Sequence, residues 1–265
     1  MSLARRKRNR ILAAQTITAA AAPVRGADPA PVAVLSPAAG ANTSPPAARA
    51  AREIALRLTH DLRRLKEIRS IDRKIDAKRE MLPEYKSWVE GIVQADAGIG
   101  TGIAADVVPT YMVWLLDVGA FDTAIELLPF LLRHRVEMPK RYARDVPTIV
   151  VELVGDAAAK AQSAGQPFDP AVLDSVDNLT TGIDIHDEVR AKLLKAIGIE
   201  QLRTAEDMPA ENSRIVLESA LFNLREAQRL HDRVGVKDRI KRADKLLAAV
   251  SAATPVTETG GTSAA

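Results

Sequence analysis

The 265-residue chain has no cysteine, which removes disulfide staples, thiolate nucleophiles and thiolate metal sites from its repertoire. A reducing cytoplasm fits that lack. Aromatic residues are only 3% of the chain, too few for the successive stacking platforms of a single-strand binder. Nowhere does the sequence reach the about 18 consecutive apolar residues of a bilayer-crossing helix, so no membrane partner is expected. A strong excess of one charge is missing too. With 37 Lys and Arg against 34 Asp and Glu, net +3, contact with nucleic acid has to come from local clusters, not from the whole surface.

What is present begins with a basic start, MSLARRKRNR, containing Arg5, Arg6, Lys7, Arg8 and Arg10. The following apolar run imitates a targeting signal, but Gln15, Thr16 and Thr18 dilute it, so the arm is expected to stay on the working protein. From Ala19 to Ala51 the chain is mostly Ala and Pro, with scattered Gly, Ser and Thr and few large apolar residues. Such a composition buries too little apolar surface to offset the entropy of ordering. Residues 1–48 therefore read as a disordered basic arm and linker, and residues 251–265 as a disordered tail.

Over residues 49–82 there is no glycine or proline, and Ile54, Leu58, Leu65, Ile68 and Ile75 recur at three-, four- and seven-residue spacings. That pattern predicts one long helix, with Asp61 and Asp72 interrupting an otherwise continuous seam. Between Arg49 and Glu80 eleven Lys and Arg face six Asp and Glu, so the polar face is basic. Arg63, Arg64, Arg69, Arg73, Lys74 and Lys78 could follow a phosphate backbone, each releasing counterions. The plainer reading is a solvated helix laced with weak ion pairs.

Residues 83–250 read as a helical core. Pro83 suits the first turn of a helix with Tyr85, Trp88, Val89, Ile92 and Val93 on one stripe. Gly98, Gly100 and Gly102 mark a loop, but no strand precedes it and no lysine follows, so it is not a nucleotide cradle. DVGAFDTAIELLPFLLRH reads as the turn and second helix of a tetratricopeptide-like hairpin, with Gly119 closing one helix, Asp122 capping the next and Ala124 allowing close approach. Pro129 should bend that second helix. SALFNLREAQRLHDRVGVKDRIKRADKLLAAV has the same flavour through Ala220, Leu224, Ala227 and Leu230.

Catalytic chemistry is harder to find. The histidines at 60, 134, 186 and 231 share no metal-ligand spacing. Glu90, Asp96, Asp106, Asp117, Asp122 and Glu126 are the acids that could gather magnesium around a scissile phosphate, and caps or solvent-facing charges are their plainer reading. No catalytic residue is assigned, and no metal or other cofactor is expected unless the chain cuts DNA.

KREMLPEYKSWVEGIV, followed by MVWLLDVGAFDTAIELLPFLLRHRVEMPKRYARDVPTIVVELVGDAA, resembles the central block of the small terminase subunit family of temperate, contractile-tailed phages. Members of that family are often called the terminase endonuclease subunit. The likeness extends to LARRKRNRILAA and to DMPAENSRIVLESALFNLREAQRLHDRVGVKDRIKRADKLL, covering most of Ala47 to Leu247. The helical patterns make the chain all-α, and the apolar stripe from Ile54 to Ile75 with the hairpin surfaces exceeds what the front helix can bury, which predicts a homo-oligomer. The resemblance implies recognition of the packaging site on double-stranded phage DNA, usually by an oligomer. It also implies a partner, the large subunit whose ATPase drives DNA into the prohead, and it attaches the cohesive-end cut to the family. The final TPVTETGGTSAA lacks the basic extension of some relatives, so no carboxy-terminal DNA contact is expected. Three functions stay open: a DNA-recognition subunit, a magnesium-dependent endonuclease, and a helical scaffold that does not bind DNA.

Overall fold

The computed structural model describes residues 46–100 and 102–253, and every regular element among them is helical. In chain order these are α1 (Pro46–Glu67), α2 (Ile71–Met81), α3 (Pro83–Ala95), α4 (Val107–Val118), α5 (Phe121–Arg133), α6 (Val146–Ser163), α7 (Pro170–Thr180), α8 (Asp187–Asp207), α9 (Ala210–Leu230) and α10 (Lys237–Ala253). Single 3₁₀ turns at Gly102–Asp106 and Asp232–Val234 introduce α4 and α10. The all-α expectation holds. The basic arm with Arg5, Arg6, Lys7, Arg8 and Arg10, and the tail beyond Ala253, lie outside the described residues.

One helix over 49–82 does not form, and the front of the fold is an elbow instead. The chain leaves the helix at residues 68–70, and Ser70 restarts it by accepting a hydrogen bond from the Arg73 amide at 3.4 Å. Leu82, the expected break, keeps helical dihedrals (φ −51°, ψ −43°) and donates its amide to Lys78 at 2.9 Å, so α2 flows into α3. Pro83 sits in the first turn of α3, where its missing N–H costs nothing.

Burial explains the elbow. With α1 and α2 folded back on each other, Ile54, Leu58 and Leu65 are buried in the core that also holds Ala77, Met81 and Tyr85. At about 1.5–3 kcal/mol for each large side chain, that gain outweighs the helical bonds lost over three residues. The arms run antiparallel: Arg57 pairs with Glu84, Arg64 with Glu80, and the Tyr85 hydroxyl donates to Asp61 at 2.7 Å. Burial and the neighbouring Asp61 carboxylate push the Tyr85 phenol up, keeping it a donor.

The centre is α4, buried from Val107 through Leu116 and apolar on every side. Trp114 meets Tyr85 edge-on with ring centroids 5.6 Å apart. Gly119 ends α4 in the left-handed conformation (φ 83°), which a side chain would strain. The residue at the start of α5 is Ala120, with no side-chain cap, so Asp122 is not the cap expected of it. Its carboxylate instead lies in the first turn, where it favours the helix dipole. α5 continues through Pro129, whose ring is exposed, so the lost ladder bond falls on the watered side.

At the other end α9 packs on both α8 and α10. A second, smaller core forms there from Leu202, Ala205, Leu217, Ala220, Leu221, Ala243 and Val250. The α8–α9 approach depends on Gly198: a Cβ there would stand 2.7 Å from Leu224 Cγ and 3.2 Å from the Ala220 carbonyl. Among the described residues no helix is long and apolar enough to cross a membrane.

Candidate nucleic-acid interface

The elbow concentrates cations. Arg63, Arg64 and Lys66 close α1, Arg69 occupies the connection, and Arg73 and Lys74 open α2. Cations at the end of α1 are favourable on local grounds, since they face the negative end of its dipole. Arg63, Lys66, Arg69 and Arg73 are exposed and Lys74 is half-buried. None of these five has an ion-pair partner among the described residues, and only Glu67 and Asp72 add opposite charge between residues 63 and 74.

The other two predicted contacts are held more closely. Arg64 donates to Glu80 at 2.9 Å but stays 49% exposed, so it can still turn toward a ligand. Lys78 differs in kind: its Nζ lies 2.5 Å from Asp117 Oδ2, and the two side chains are 17% and 27% exposed. That pair ties α2 to the central α4. Lys66 belongs with the exposed cations although the helical pattern did not single it out. Its signal is its place in the last turn of α1, which becomes visible only once the elbow is known.

The six acids considered for magnesium are dispersed over this end of the bundle, and most already hold a cation. Asp117 holds Lys78, Asp106 meets Arg141 at 3.3 Å, and Glu90 lies 3.8 Å from Lys86. Asp96 accepts from Arg133 at 2.6 Å and contacts His134 Nε2 at 2.7 Å, which together hold its carboxyl below the usual range. Glu90 and Glu126 share the rim of a groove of about 200 Å³ against Tyr111, whose phenol is pushed up by burial and by Glu90. Asp122 is exposed at the start of α5. Among the described residues no three His, Asp or Glu side chains gather as metal ligands.

Known proteins supply the class. Residues 55–188 match the family model described as phage small terminase subunit, which places the chain among the proteins of phage DNA packaging. The chain belongs to the phage small terminase subunit family. It is 34% identical over 195 residues to the "Terminase, endonuclease subunit" of Escherichia phage P2, covering 74% of this chain and 73% of that relative. It is also 27% identical over 199 residues to the "Probable terminase, endonuclease subunit" of Haemophilus phage HP1 (strain HP1c1), covering 73% and 68%. No solved structure matches the chain.

Proposed function

We propose that this chain is the DNA-recognition subunit of a phage terminase, engaging double-stranded DNA at the packaging site through the α1–α2 elbow and bringing the ATPase large subunit to it. The observation that carries the reading is the cluster, at one bend of a nearly neutral protein, of five cations with no ion-pair partner among the described residues. Arg63, Arg69, Arg73, Lys74 and Lys66 make the phosphate contacts, Arg64 joins by leaving Glu80, and Lys78 stays in the fold. The five basic residues Arg5, Arg6, Lys7, Arg8 and Arg10 add a second, tethered contact, and joining two weak contacts on one chain raises affinity. The protein works in the host cytoplasm as a homo-oligomer.

Binding to packaging-site DNA and to random DNA across a salt series tests this. Affinity should fall linearly with the logarithm of salt, with a slope of about −0.9 per phosphate neutralised, and packaging-site DNA should bind more tightly. A flat salt response supports the scaffold reading.

The names of the two relatives favour a second reading, in which this subunit makes the cohesive-end cut with magnesium. Cutting of packaging-site DNA by the purified chain and magnesium alone, lost in Asp117→Asn or Asp122→Asn while folding and binding persist, would establish it. Under the preferred reading those variants bind DNA normally, and cutting needs the large subunit, ATP and magnesium.

A further inference from the structure

α9 carries an apolar strip that its own chain leaves in water. Ile215 is 78% exposed and Phe222 69% exposed, and their seven-residue interval puts them on one line along the helix. The line is flanked by two hollows. One, of about 330 Å³, is mostly apolar and includes Leu173 of α7 and Ile197 of α8; in the other, Leu221 and Leu247 of α10 lie among the charged Glu218, Arg225, Glu226 and Arg229. The other large apolar residues exposed among the described ones, Leu56, Ile71 and Ile103, stand on three different elements.

The charges around Phe222 select the occupant. Glu218 precedes it by four residues and Arg225 follows by three, which sets both on the same flank of α9. Let a second α9 cross antiparallel with a two-fold axis at Phe222. The two phenyl rings then meet on the axis, and Glu218 of each copy stands opposite Arg225 of the other. A face complementary to its own inverted image is what an isologous contact requires. A partner of one charge sign, DNA included, would leave half of this flank opposed by like charge. Glu218 now accepts from Arg214 at 3.0 Å and Arg225 donates to Asp244 at 2.7 Å. A second copy therefore extends an exposed network, and no lone charge is stranded.

We propose that α9 is a two-fold self-association face of this chain, with Phe222 packing on Phe222 of a second copy and Glu218 and Arg225 pairing reciprocally. The proposal rests on the self-association in the reading above and gives it a location, because the stripe of Ile54, Leu58 and Leu65 is already buried within one chain.

The full chain and its variants are compared by light scattering and sedimentation, with circular dichroism to confirm folding. Wild type should have at least twice the 28.6 kDa chain mass, and Phe222→Asp should fall to a smaller species with unchanged helicity. Glu218→Arg and Arg225→Glu should each weaken association roughly tenfold, and the double variant, which exchanges the two charges, should recover most of the loss. Because the chain has no cysteine, Phe222→Cys should oxidise to a disulfide-linked dimer, while the equally exposed Leu56→Cys should not. A monomeric wild type overturns both the self-association and this face. A wild-type assembly that survives Phe222→Asp, and that Phe222→Cys fails to cross-link, overturns this face alone. An association lost in both single charge variants and not regained in the double overturns the two-fold register.

Discussion

The elbow and helix α9 differ in what they gather at the surface. Between α1 and α4 most of the apolar stripe is buried inside the chain, and beside the scattered exposed side chains of Leu56, Ile71 and Ile103 stands an elbow of cations that have no ion-pair partner among the described residues. Along α9 all three cations are matched: Arg214 with Glu218, Arg225 with Asp244 and Arg229 with Glu226. There it is Ile215 and Phe222 that stay exposed. Unmatched charge suits a polyanion and unmatched apolar surface suits a protein, which is why the two proposals above fall at separate places on the chain. The family match, residues 55–188, contains the elbow and stops short of α9.

The sharpest way to break this contrast is to strip the elbow. Changing Arg63, Arg69, Arg73 and Lys74 together to Ala should lower affinity for every DNA by roughly a hundredfold or more and flatten the salt slope by about 0.9 per lost contact. Phe222→Asp should leave that slope unchanged. If the quadruple variant keeps the wild-type slope, the elbow is ordinary solvated charge.

Lys78 makes the next test, because it lies in the basic segment yet is engaged by Asp117. Lys78→Met should cost about 1–3 kcal/mol in urea unfolding, since it leaves the partly buried Asp117 carboxylate without its cation. The salt slope should not move. A slope lowered by about one, with stability intact, would return Lys78 to the DNA face.

At the opposite end, Gly198→Ala gains helix propensity but drives a methyl into Leu224 and the Ala220 carbonyl. A net loss of about 1–2 kcal/mol is expected in thermal or urea unfolding, with DNA affinity retained. An unchanged or higher melting temperature would show that α9 is free to move away from α8.

The smallest effect is on acid stability. The Asp96 carboxyl is held below its ordinary value by Arg133 and then His134. Its contribution is therefore present above the ordinary carboxylate range and fades as pH falls through the depressed value. Asp96→Asn should melt lower than wild type near neutrality, and the gap should close as the pH drops below about 4. A gap independent of pH would mean the residue acts by shape alone.

Much of this was legible from local residues. Gly119 ends α4 because its backbone turns left-handed, and Pro83 opens α3 because a first-turn proline loses no bond. The elbow was not legible: the apolar spacing runs from Ile54 to Ile75 without a glycine or proline, and Ser70 alone marks the restart. Asp61 looked like a fault in that seam because its partner, the Tyr85 hydroxyl, lies 24 residues away. The clustering of cations could be read directly, but the fate of Lys78 depends on Asp117, 39 residues on. On α9 the pattern gives Ala220, Leu224 and Ala227 to the core, and all three are buried. Nothing local tells that Ile215 and Phe222, equally apolar, face outward.

The Lys78–Asp117 tie also has a mechanical meaning. Arg73 at the start of α2 and Lys78 are five residues apart, which at about 1.5 Å per residue is a lever arm of roughly 7–8 Å. The cationic elbow overhangs that anchor, and the anchor is fastened to the helix most completely surrounded by the rest of the bundle. If the elbow binds DNA as proposed, part of any pull on it would be delivered as torque at this charged joint on α4. Cutting the joint while keeping every phosphate contact would leave a subunit that grips DNA as before and transmits less of the load.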